Sequence, residues 1–429
     1  MIFKKSNSLK GEITIPGDKS ISHRAIMFGS LAEGSTRISH FLQGADCLST
    51  ISCFRQMGID IENNTKENVV IVKGKGLRGL KKPNSILDVG NSGTTMRLIS
   101  GILCGQTFDT TLTGDASICK RPMGRIINPL VSMGGKIKSL SGDNLAPLSI
   151  EGTKEGLSGI TYTLPVASAQ IKSAVLLAGL YANEETTVIE HTPSRNHTEI
   201  MLQMLGANIA NKDNAITITG SPKLIARDVI VPGDISSAAY FIAAGILVPG
   251  SEILIKNVGV NKTRDGIIKV LEQMGANITL ENLRNTDTEP VADILVKHSS
   301  LKATTICDPI IPTLIDEIPI IAVIACFADG TTVIKDAGEL KVKESNRLDV
   351  MVNQLKLMGA DIEATEDGMI IHGGKPLHGA VIDSKLDHRI AMSFAIAGLV
   401  ADGETTILNS ECVDISYPDF YKDLEGLMK

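Results

Sequence analysis

The sequence contains no tryptophan, and aromatic residues make up only 3% of its 429 positions. Proteins that bind single-stranded nucleic acid use aromatic side chains as platforms for stacked bases, so this class is disfavoured. The charges are nearly balanced, because 42 Lys and Arg stand against 48 Asp and Glu, and the net charge is −6. This balance argues against a strongly basic nucleic-acid-binding domain, and we expect no nucleic-acid partner.

Cysteines are few and scattered: there are seven, with no Cys-x-x-Cys pair and no His/Cys cluster. We therefore expect neither a structural metal site nor a disulfide framework, which fits a reducing cytoplasm. The longest apolar stretches, such as residues 238–249, are shorter than the roughly 20 residues that cross a membrane. The first residues lack the apolar segment of a signal peptide. We expect a cytoplasmic protein without a membrane partner.

One pattern recurs along the whole chain at intervals of 69 to 84 residues. A predicted helix ends in Met-Gly or Leu-Gly, and a short strand rich in Thr, Ile and Val follows. The pairs are Met57-Gly58, Met133-Gly134, Leu205-Gly206, Met274-Gly275 and Met358-Gly359. With a last helix predicted from Phe420 to Met428, the pattern gives six β-α-β-α-β-β units of about 72 residues each.

The six units group into two halves of three. The segment Ile15-Pro-Gly-Asp-Lys-Ser20 is repeated as Val231-Pro-Gly-Asp-Ile-Ser236, 216 residues later. Both copies share Pro-Gly-Asp and a following Ser, and these residues predict a turn that leads into the N-terminus of a helix. The second copy lacks the cations Lys19 and Arg24, and we therefore interpret these two as functional candidates.

Cations recur near predicted helix N-termini. Lys19, Arg24 and Arg389 lie where the positive end of the helix dipole disfavours a cation. A bound anion would resolve this conflict, because it would attract the dipole, the free N–H groups and the cations together. We predict small substrates with several negative charges, and we interpret Asp316 and Glu344, which lie among the cations, as candidate bases. No Walker A motif or helix-opening GxGxxG indicates a nucleotide cofactor.

Five stretches together resemble a known family. They are Gly17-Asp-Lys-Ser-Ile-Ser-His-Arg24, Gly90-Asn-Ser-Gly-Thr-Thr-Met-Arg97, Lys120-Arg-Pro-Met-Gly-Arg125, Lys343-Glu-Ser-Asn-Arg347 and Asp387-His-Arg389. In this order, over the whole chain, they are similar to the signature stretches of the 5-enolpyruvylshikimate-3-phosphate synthases, which are enolpyruvyl transferases. The resemblance implies an α/β fold of two similar domains, each an inside-out barrel of three βαβαββ repeats, with a cleft between them. We expect domains at residues 19–235 and 236–429, with strand 1–18 joining the second.

The resemblance also implies a reaction and its residues. The enolpyruvyl group of phosphoenolpyruvate passes to the 5-hydroxyl of shikimate 3-phosphate, through a tetrahedral ketal, and phosphate is released. The residues implied for shikimate 3-phosphate are Lys19, Ser20, Arg24, Ser168, Gln170, Ser194, Asp316 and Lys343. Those implied for phosphoenolpyruvate are Lys19, Gly93, Thr94, Arg121, Gln170, Arg347 and Arg389.

Asp316 is the implied base on the 5-hydroxyl, and Glu344 and Lys19 handle the proton near C3 and the leaving phosphate. The resemblance implies a monomer that closes on its substrates, requires no metal or organic cofactor and is inhibited by glyphosate, for which Gly93 is the associated residue. Two positions depart from the family: Ala169 replaces a serine of many relatives, and Ile415 replaces a phosphoenolpyruvate-binding lysine of several.

Two other interpretations account for part of the pattern. A UDP-N-acetylglucosamine enolpyruvyl transferase shares the fold but carries a reactive cysteine five residues before its Arg-Pro motif, where this chain has Ala116. A non-catalytic repeat protein that binds polyanions would explain the cations but not the carboxylates of Asp316 and Glu344.

Overall fold

The computed structural model of the chain describes residues 1–286 and 289–428. It divides into two compact units, one formed by Gly17–Val231 and the other by Met1–Pro16 together with Pro232–Lys429. We refer to them as the continuous unit and the discontinuous unit. The sequence-based divisions, after residues 18 and 235, lie a few residues further along the chain.

Twelve α-helices occur in the described part of the chain. They are α1 (Lys19–Leu31), α2 (Ala45–Gln56), α3 (Gly93–Cys104), α4 (Gly124–Ser132), α5 (Ala169–Gly179), α6 (His197–Met204), α7 (Ile235–Leu247), α8 (Gly266–Gln273), α9 (Ile318–Ala325), α10 (Arg347–Leu357), α11 (His388–Gly398) and α12 (Phe420–Leu427). Short 3₁₀ segments cover Ile118–Lys120, Ile311–Thr313, Gly338–Val342 and Ser410–Ile415.

The described residues also contain twenty-three strands. They are β1 (Ile2–Lys4), β2 (Lys10–Thr14), β3 (Glu33–Ser39), β4 (Asp60–Asn64), β5 (Val69–Lys75), β6 (Leu87–Asp88), β7 (Thr110–Thr113), β8 (Lys136–Ser139), β9 (Leu148–Glu151), β10 (Thr161–Thr163), β11 (Thr186–Ile189), β12 (Ile209–Lys212), β13 (Ala215–Ile218), β14 (Val229–Ile230), β15 (Glu252–Gly259), β16 (Asn277–Asn285), β17 (Pro290–Lys297), β18 (Thr305–Ile306), β19 (Thr331–Ile334), β20 (Asp361–Ala364), β21 (Met369–His372), β22 (Val381–Asp383) and β23 (Glu404–Leu408).

These strands form one small sheet per repeat. The repeat β6-α3-β7-α4-β8-β9 shows the pattern: β6 pairs parallel with β7, and β9 pairs antiparallel with both β7 and β8. Two further repeats have the same order, with strand orders β10-β11-β13-β12 and β18-β19-β21-β20. The predicted β-α-β-α-β-β unit is therefore confirmed as the building block of the α/β fold.

Two strands pair with strands that are distant from them in the sequence. Strand β2, which precedes α1, pairs parallel with β15, with Lys10 opposite Glu252 and Thr14 opposite Lys256. Strand β14, which precedes α7, pairs parallel with β3 of the continuous unit. The last repeat keeps three strands in the order β1-β23-β22, with β1 antiparallel to β23. Among the described residues, each unit thus contains three sheets.

Each unit has its own hydrophobic core. The first helix of each repeat is buried along nearly its whole length, as expected of a helix enclosed by its neighbours. Helix α3 lies against α5 at Gly101, where a Cβ atom would come within 2.2 Å of the Ala174 carbonyl oxygen. Glycine is therefore required at this contact. None of the helices among the described residues is long and apolar enough to cross a membrane.

In each of the first five repeats, a glycine with positive φ lies two residues after the end of the second helix. The values are 84° for Gly58, 86° for Gly134, 102° for Gly206, 89° for Gly275 and 85° for Gly359. A residue with a side chain is strained in this conformation, whereas glycine adopts it readily. The Met-Gly and Leu-Gly pairs of the sequence are therefore helix ends.

Candidate active site

Three helices of the continuous unit begin at a capped N-terminus, and most of the candidate ligands of that unit lie beside them. The carboxylate of Asp18 accepts a hydrogen bond of 2.8 Å from the Ile21 N–H and caps α1. Ser92 and Ser168 cap α3 and α5 through their hydroxyl oxygens. A capped first turn still has N–H groups and the positive end of the dipole to offer to an anion.

Lys19 is the first residue of α1 and forms an ion pair with a residue of α2. Its Nζ lies 2.7 Å from Oδ2 of Asp46, and both side chains are largely buried. The ammonium group has three donors, so an anion can bind beside Asp46. The pair offsets the unfavourable position of a cation at a helix N-terminus and fixes the direction of the lysine side chain.

Arg24 lies one turn further along α1 and is only 3% exposed. Its Nη1 donates to the Ser20 carbonyl at 3.0 Å, its Nε to Thr198 Oγ1 at 2.8 Å, and its Nη2 to Ser173 Oγ at 2.8 Å. The guanidinium plane is therefore fixed by residues of α1, α5 and α6. Neutral groups make all three of these contacts, so none of them neutralises its charge.

Gly93, at the start of α3, lies against the guanidinium group of Arg121. A Cβ atom built at position 93 would come within 3.2 Å of the Arg121 Cζ, Nη1 and Nη2 atoms. The absence of a side chain at Gly93 thus allows this arginine to approach the first turn of α3. This contact places a planar cation beside a helix N-terminus, an arrangement suited to a carboxylate or a phosphate.

The side chain of Gln170, in the first turn of α5, connects two residues of α3. Its amide Nε2 donates to Thr94 Oγ1 at 3.2 Å, and its Oε1 accepts a hydrogen bond from Arg97 Nη1. Because Arg97 holds the amide oxygen, the amide nitrogen faces the start of α3. This fixes the orientation of the glutamine, which the sequence alone does not specify.

Ser194 lies in the loop before α6 and is held by a buried carboxylate. Both its backbone N–H and its hydroxyl donate to Oε1 of Glu190, the former at 3.1 Å. Its carbonyl accepts a hydrogen bond from Lys172 Nζ at 3.2 Å. All three polar groups of this serine are therefore fixed by partners within the continuous unit.

In the discontinuous unit, Arg347 is the centre of a buried charge cluster. Its Nε lies 2.8 Å from Asp387 Oδ2, its Nη2 2.7 Å from Glu344 Oε2, and its Nη1 3.3 Å from Asp316 Oδ1. Burial opposes the charge of Arg347, but Asp387 and Glu344 outweigh it, so the pKa of the guanidinium is raised. The pKa of Asp387 is lowered, because Arg347 outweighs the effect of burial on that carboxyl.

Asp316 lies among three cations. Besides Arg347, its Oδ1 atom is 3.5 Å from Lys343 Nζ and 4.0 Å from Arg389 Nε. The pKa of Arg389 is raised, since Asp316 and other acidic neighbours outweigh burial. The pKa of Lys343 is lowered, since burial outweighs the attraction of Asp316. The cluster therefore combines two permanently charged arginines with one lysine that loses its proton more readily than an ordinary lysine does.

The candidate residues fall into two groups. Those of the continuous unit are Lys19, Ser20, Arg24, Gly93, Thr94, Arg121, Ser168, Gln170 and Ser194, and those of the discontinuous unit are Asp316, Lys343, Glu344, Arg347 and Arg389. All five of the second group belong to the cluster around Arg347. In the first group, Gly93 contacts Arg121, Thr94 contacts Gln170, and Ser20 contacts Arg24. Ile415, which ends the 3₁₀ segment Ser410–Ile415, packs against the core of its unit.

Sequence reasoning missed the partners that hold these residues. They are Asp46 beside Lys19, Arg97 beside Gln170, Lys172 and Glu190 beside Ser194, and Asp387 beside Arg347. Lys172 carried a usable signal, because it is a cation in the otherwise apolar segment from Ile171 to Leu180. Asp46 and Glu190 carried none, since isolated acidic residues are ordinary in loops and first helical turns.

Two units of three repeats each, with buried arginines beside carboxylates, have the architecture and charge of proteins that bind small, multiply charged anions. The family model described as EPSP synthase (3-phosphoshikimate 1-carboxyvinyltransferase) matches residues 3–424. A 3-phosphoshikimate 1-carboxyvinyltransferase of Thermoanaerobacter sp. (strain X514) is 58% identical over 424 residues, covering 99% of both chains. The protein of that name from Geobacillus kaustophilus (strain HTA426) is 55% identical, covering 98% of both.

Solved structures agree with these sequences. An EPSP synthase from Acinetobacter baumannii superposes with a TM-score of 0.89 at 47% identity, over 100% of this chain and 97% of that one. A second structure from the same organism gives a TM-score of 0.88 at 46% identity. The chain belongs to the EPSP synthase family, and the resemblance seen in its five sequence stretches is confirmed.

Proposed function

We propose that this protein transfers the enolpyruvyl group of phosphoenolpyruvate to the 5-hydroxyl of shikimate 3-phosphate, a step of the shikimate pathway, and releases phosphate. The observation that carries the proposal is a set of four buried arginines, Arg24, Arg121, Arg347 and Arg389, none more than 9% exposed. Each of the two substrates carries one phosphate and one carboxylate. Buried guanidinium groups with fixed orientation bind such groups in a bidentate manner.

The proposed binding residues fall on both units. For phosphoenolpyruvate they are Lys19, Gly93, Thr94, Arg121, Gln170, Arg347 and Arg389, and for shikimate 3-phosphate they are Lys19, Ser20, Arg24, Ser168, Gln170, Ser194, Asp316 and Lys343. The contact of Gly93 with Arg121 and the fixed amide of Gln170 support the first set. The anchoring of Arg24 and Ser194 supports the second.

The proposed mechanism is addition followed by elimination. C3 of phosphoenolpyruvate gains a proton, and the 5-hydroxyl oxygen bonds to C2 while Asp316 takes the hydroxyl proton. In the resulting tetrahedral ketal, loss of a C3 proton restores the double bond and the C2–O bond to phosphate breaks. Glu344 and Lys19 handle the C3 proton and the charge of the leaving phosphate. Arg347 contacts both Asp316 and Glu344 and thereby links the two carboxylates in the cluster.

The alkaline limb of the pH profile is expected to depend on Lys343. Burial lowers its pKa, so its charge is lost at a lower pH than that of an ordinary lysine. Since only the charged form attracts shikimate 3-phosphate, kcat/KM for this substrate should fall as the pH rises through that lowered pKa. In Lys343→Arg the fall should move to higher pH, because arginine keeps its charge. An unchanged profile in Lys343→Arg would assign the limb to another group.

Gly93→Ala is expected to weaken the binding of phosphoenolpyruvate and of glyphosate, the proposed inhibitor. The new methyl group would lie within 3.2 Å of the Arg121 guanidinium, which would have to move by a few tenths of an ångström. Since a misplacement of about 1 Å can cost about 10²-fold in rate, we expect this smaller displacement to reduce kcat/KM by roughly tenfold. Steady-state kinetics with each substrate varied, and inhibition by glyphosate, measure the change. The KM for shikimate 3-phosphate should stay within about twofold of the wild type; an equal rise for both substrates would contradict a local effect.

We also propose that the protein works as a monomer in the cytoplasm. None of the seven cysteines, all of which lie in the described part of the chain, forms a disulfide, a state that a reducing compartment maintains. Light scattering of the purified chain with and without its substrates tests the monomer directly.

The decisive test of the reaction is phosphate release from phosphoenolpyruvate by the purified chain. Shikimate 3-phosphate is the expected acceptor, and UDP-N-acetylglucosamine serves as the control acceptor. Release with shikimate 3-phosphate alone is the expected result. Release with the UDP-sugar alone would assign the chain to the related enolpyruvyl transferase. A folded sample that releases phosphate with neither acceptor would be a binding protein without this activity.

A further inference from the structure

Helices α5 and α6 enclose three charged side chains that have no role in the reaction as proposed. Lys172 is 1% exposed, and its Nζ lies 2.8 Å from Oε2 of Glu190 and 2.7 Å from Oε1 of Glu199. The two glutamate side chains are 3% and 8% exposed. Buried ions of this kind are often less stabilising than apolar residues of the same size, because their desolvation is costly. The cluster therefore calls for a role other than stability.

The contacts of the cluster point to Ser194. One oxygen of Glu190, Oε2, binds the lysine, and the other, Oε1, accepts hydrogen bonds from the Ser194 N–H and hydroxyl. Lys172 in turn donates to the Ser194 carbonyl at 3.2 Å. The carboxylate and the ammonium thus hold the serine backbone from both sides. Buried, charge-assisted hydrogen bonds are the strongest that a side chain can offer for this purpose.

The residues adjacent in sequence hold Arg24. Ser173 follows Lys172 on α5, Thr198 precedes Glu199 on α6, and their hydroxyl oxygens are 2.7 Å apart. Arg24 donates to both of these hydroxyls at 2.8 Å. The ion cluster and this pair of hydroxyls are therefore joined through the backbones of α5 and α6, which hold Ser194 and Arg24 relative to each other within the continuous unit.

We infer that Glu190 and Lys172 are positioning residues for the acceptor substrate: they hold Ser194 at the distance from Arg24 that a bound shikimate 3-phosphate requires. The inference rests on the proposed function, which assigns Ser194 and Arg24 to that substrate. The serine backbone stays bound to Glu190 and Lys172, while its hydroxyl rotates from Glu190 to an anionic oxygen of the substrate. One hydrogen bond to an anion replaces another, so the exchange costs little.

Glu190→Gln tests the inference because its amide cannot satisfy both neighbours. One carboxylate oxygen faces the donors of Ser194 and the other faces the Lys172 ammonium, so the amide NH₂ must oppose one of these donors. We expect the Kd for shikimate 3-phosphate, measured by calorimetry on the full chain, to rise about tenfold, as loss of one charge-assisted hydrogen bond predicts. The KM for phosphoenolpyruvate should change less than about twofold, and kcat less than about threefold.

Two further variants complete the experiment. Ser194→Ala should raise the same Kd by a similar factor. The double variant Ser194→Ala, Glu190→Gln should have a Kd no higher than that of the single variant that binds more weakly. If Glu190→Gln does not fold, Glu190→Asp keeps the charge beside Lys172 but withdraws the carboxylate from Ser194, and the same selective rise is expected. Ile150→Val, a core change in β9 of the same unit, controls for loss of stability alone.

The outcomes separate the inference from the function on which it rests. Normal binding by Ser194→Ala would refute the assignment of that serine to the substrate, and the inference with it. Weak binding by Ser194→Ala but normal binding by both Glu190 variants would refute the inference and leave the proposed function intact. An equal loss for both substrates, or additive effects in the double variant, would show that Glu190 does not act through Ser194, and so would overturn the inference.

Discussion

Replacement of Asp316 by asparagine is expected to lower kcat by about 10²–10⁴-fold, the range that a positioned acid or base contributes. Asparagine keeps the size of the side chain but cannot accept the proton of the 5-hydroxyl. It also removes the negative charge that lies 3.3 Å from Arg347 and 3.5 Å from Lys343. Binding of shikimate 3-phosphate should therefore persist, because the carboxylate of Asp316 no longer offsets the positive charges of Arg347 and Lys343. Single-turnover kinetics with both substrates, together with equilibrium binding, separate the two effects.

The matched control is Asp402→Asn in the same unit. Asp402 also pairs with a lysine, Lys5, at 2.8 Å, but it is on the surface, with 65% of its side chain exposed. Exposed ion pairs contribute little, so this variant should retain wild-type rates. A kcat for Asp316→Asn within about tenfold of the wild type would exclude Asp316 as the base and leave it a positioning role beside Arg347.

Replacement of Arg347 by methionine is expected to reduce both stability and turnover. Methionine has a similar length but leaves the carboxylates of Asp387, Glu344 and Asp316 without their shared cation. Asp387 is fully buried, and removing one partner of a buried ion pair lowers the free energy of unfolding by about 3–5 kcal/mol. Phosphoenolpyruvate would also lose a guanidinium contact, so its KM should rise by about 10²-fold or more. Urea denaturation and steady-state kinetics measure the two changes.

Arg347→Lys is the informative comparison. Lysine keeps the positive charge but cannot reach Asp387, Glu344 and Asp316 at once with a single ammonium group. We expect it to recover most of the stability and little of the affinity for phosphoenolpyruvate. If Arg347→Met unfolds at the same urea concentration as the wild type, the cluster does not stabilise the unit, and the structural part of this prediction is wrong.

The fold could be predicted from the sequence because its repeat is visible in residues that backbone geometry requires. Gly134 and Gly275 end corresponding helices with φ of 86° and 89°, a conformation that glycine alone adopts readily, so glycine recurs at the same point of each repeat. Strand pairing across repeats leaves no such mark. The residues Val229–Ile230 do not reveal that their strand pairs with β3 rather than with a strand nearby in the sequence, since backbone hydrogen bonds are independent of side-chain identity.

The site could be predicted only in part, for a related reason. Residues such as Lys19, Arg24 and Arg389 stand out because a cation near a helix N-terminus contradicts the local electrostatics. The residues that hold the site do not stand out in this way: Asp46, which pairs with Lys19, is an acidic residue in the first turn of a helix, and Glu190, which holds Ser194, follows a strand as many glutamates do. Their importance depends on distances between residues far apart in the sequence, such as the 27 positions that separate Lys19 from Asp46. Only the three-dimensional arrangement gives these.

The pairing of β2 with β15 has a consequence for how the protein is made. The ribosome completes Lys10–Thr14 first, but the partner strand Glu252–Gly259 follows 238 residues later, from Thr14 to Glu252. At a synthesis rate of about 5–20 residues per second, β2 is made roughly 10–50 s before this partner strand. The continuous unit needs no such delay, because all its strands lie between Gly17 and Val231. Synthesis therefore favours a fixed order, in which the middle of the polypeptide folds first and its two ends fold together last.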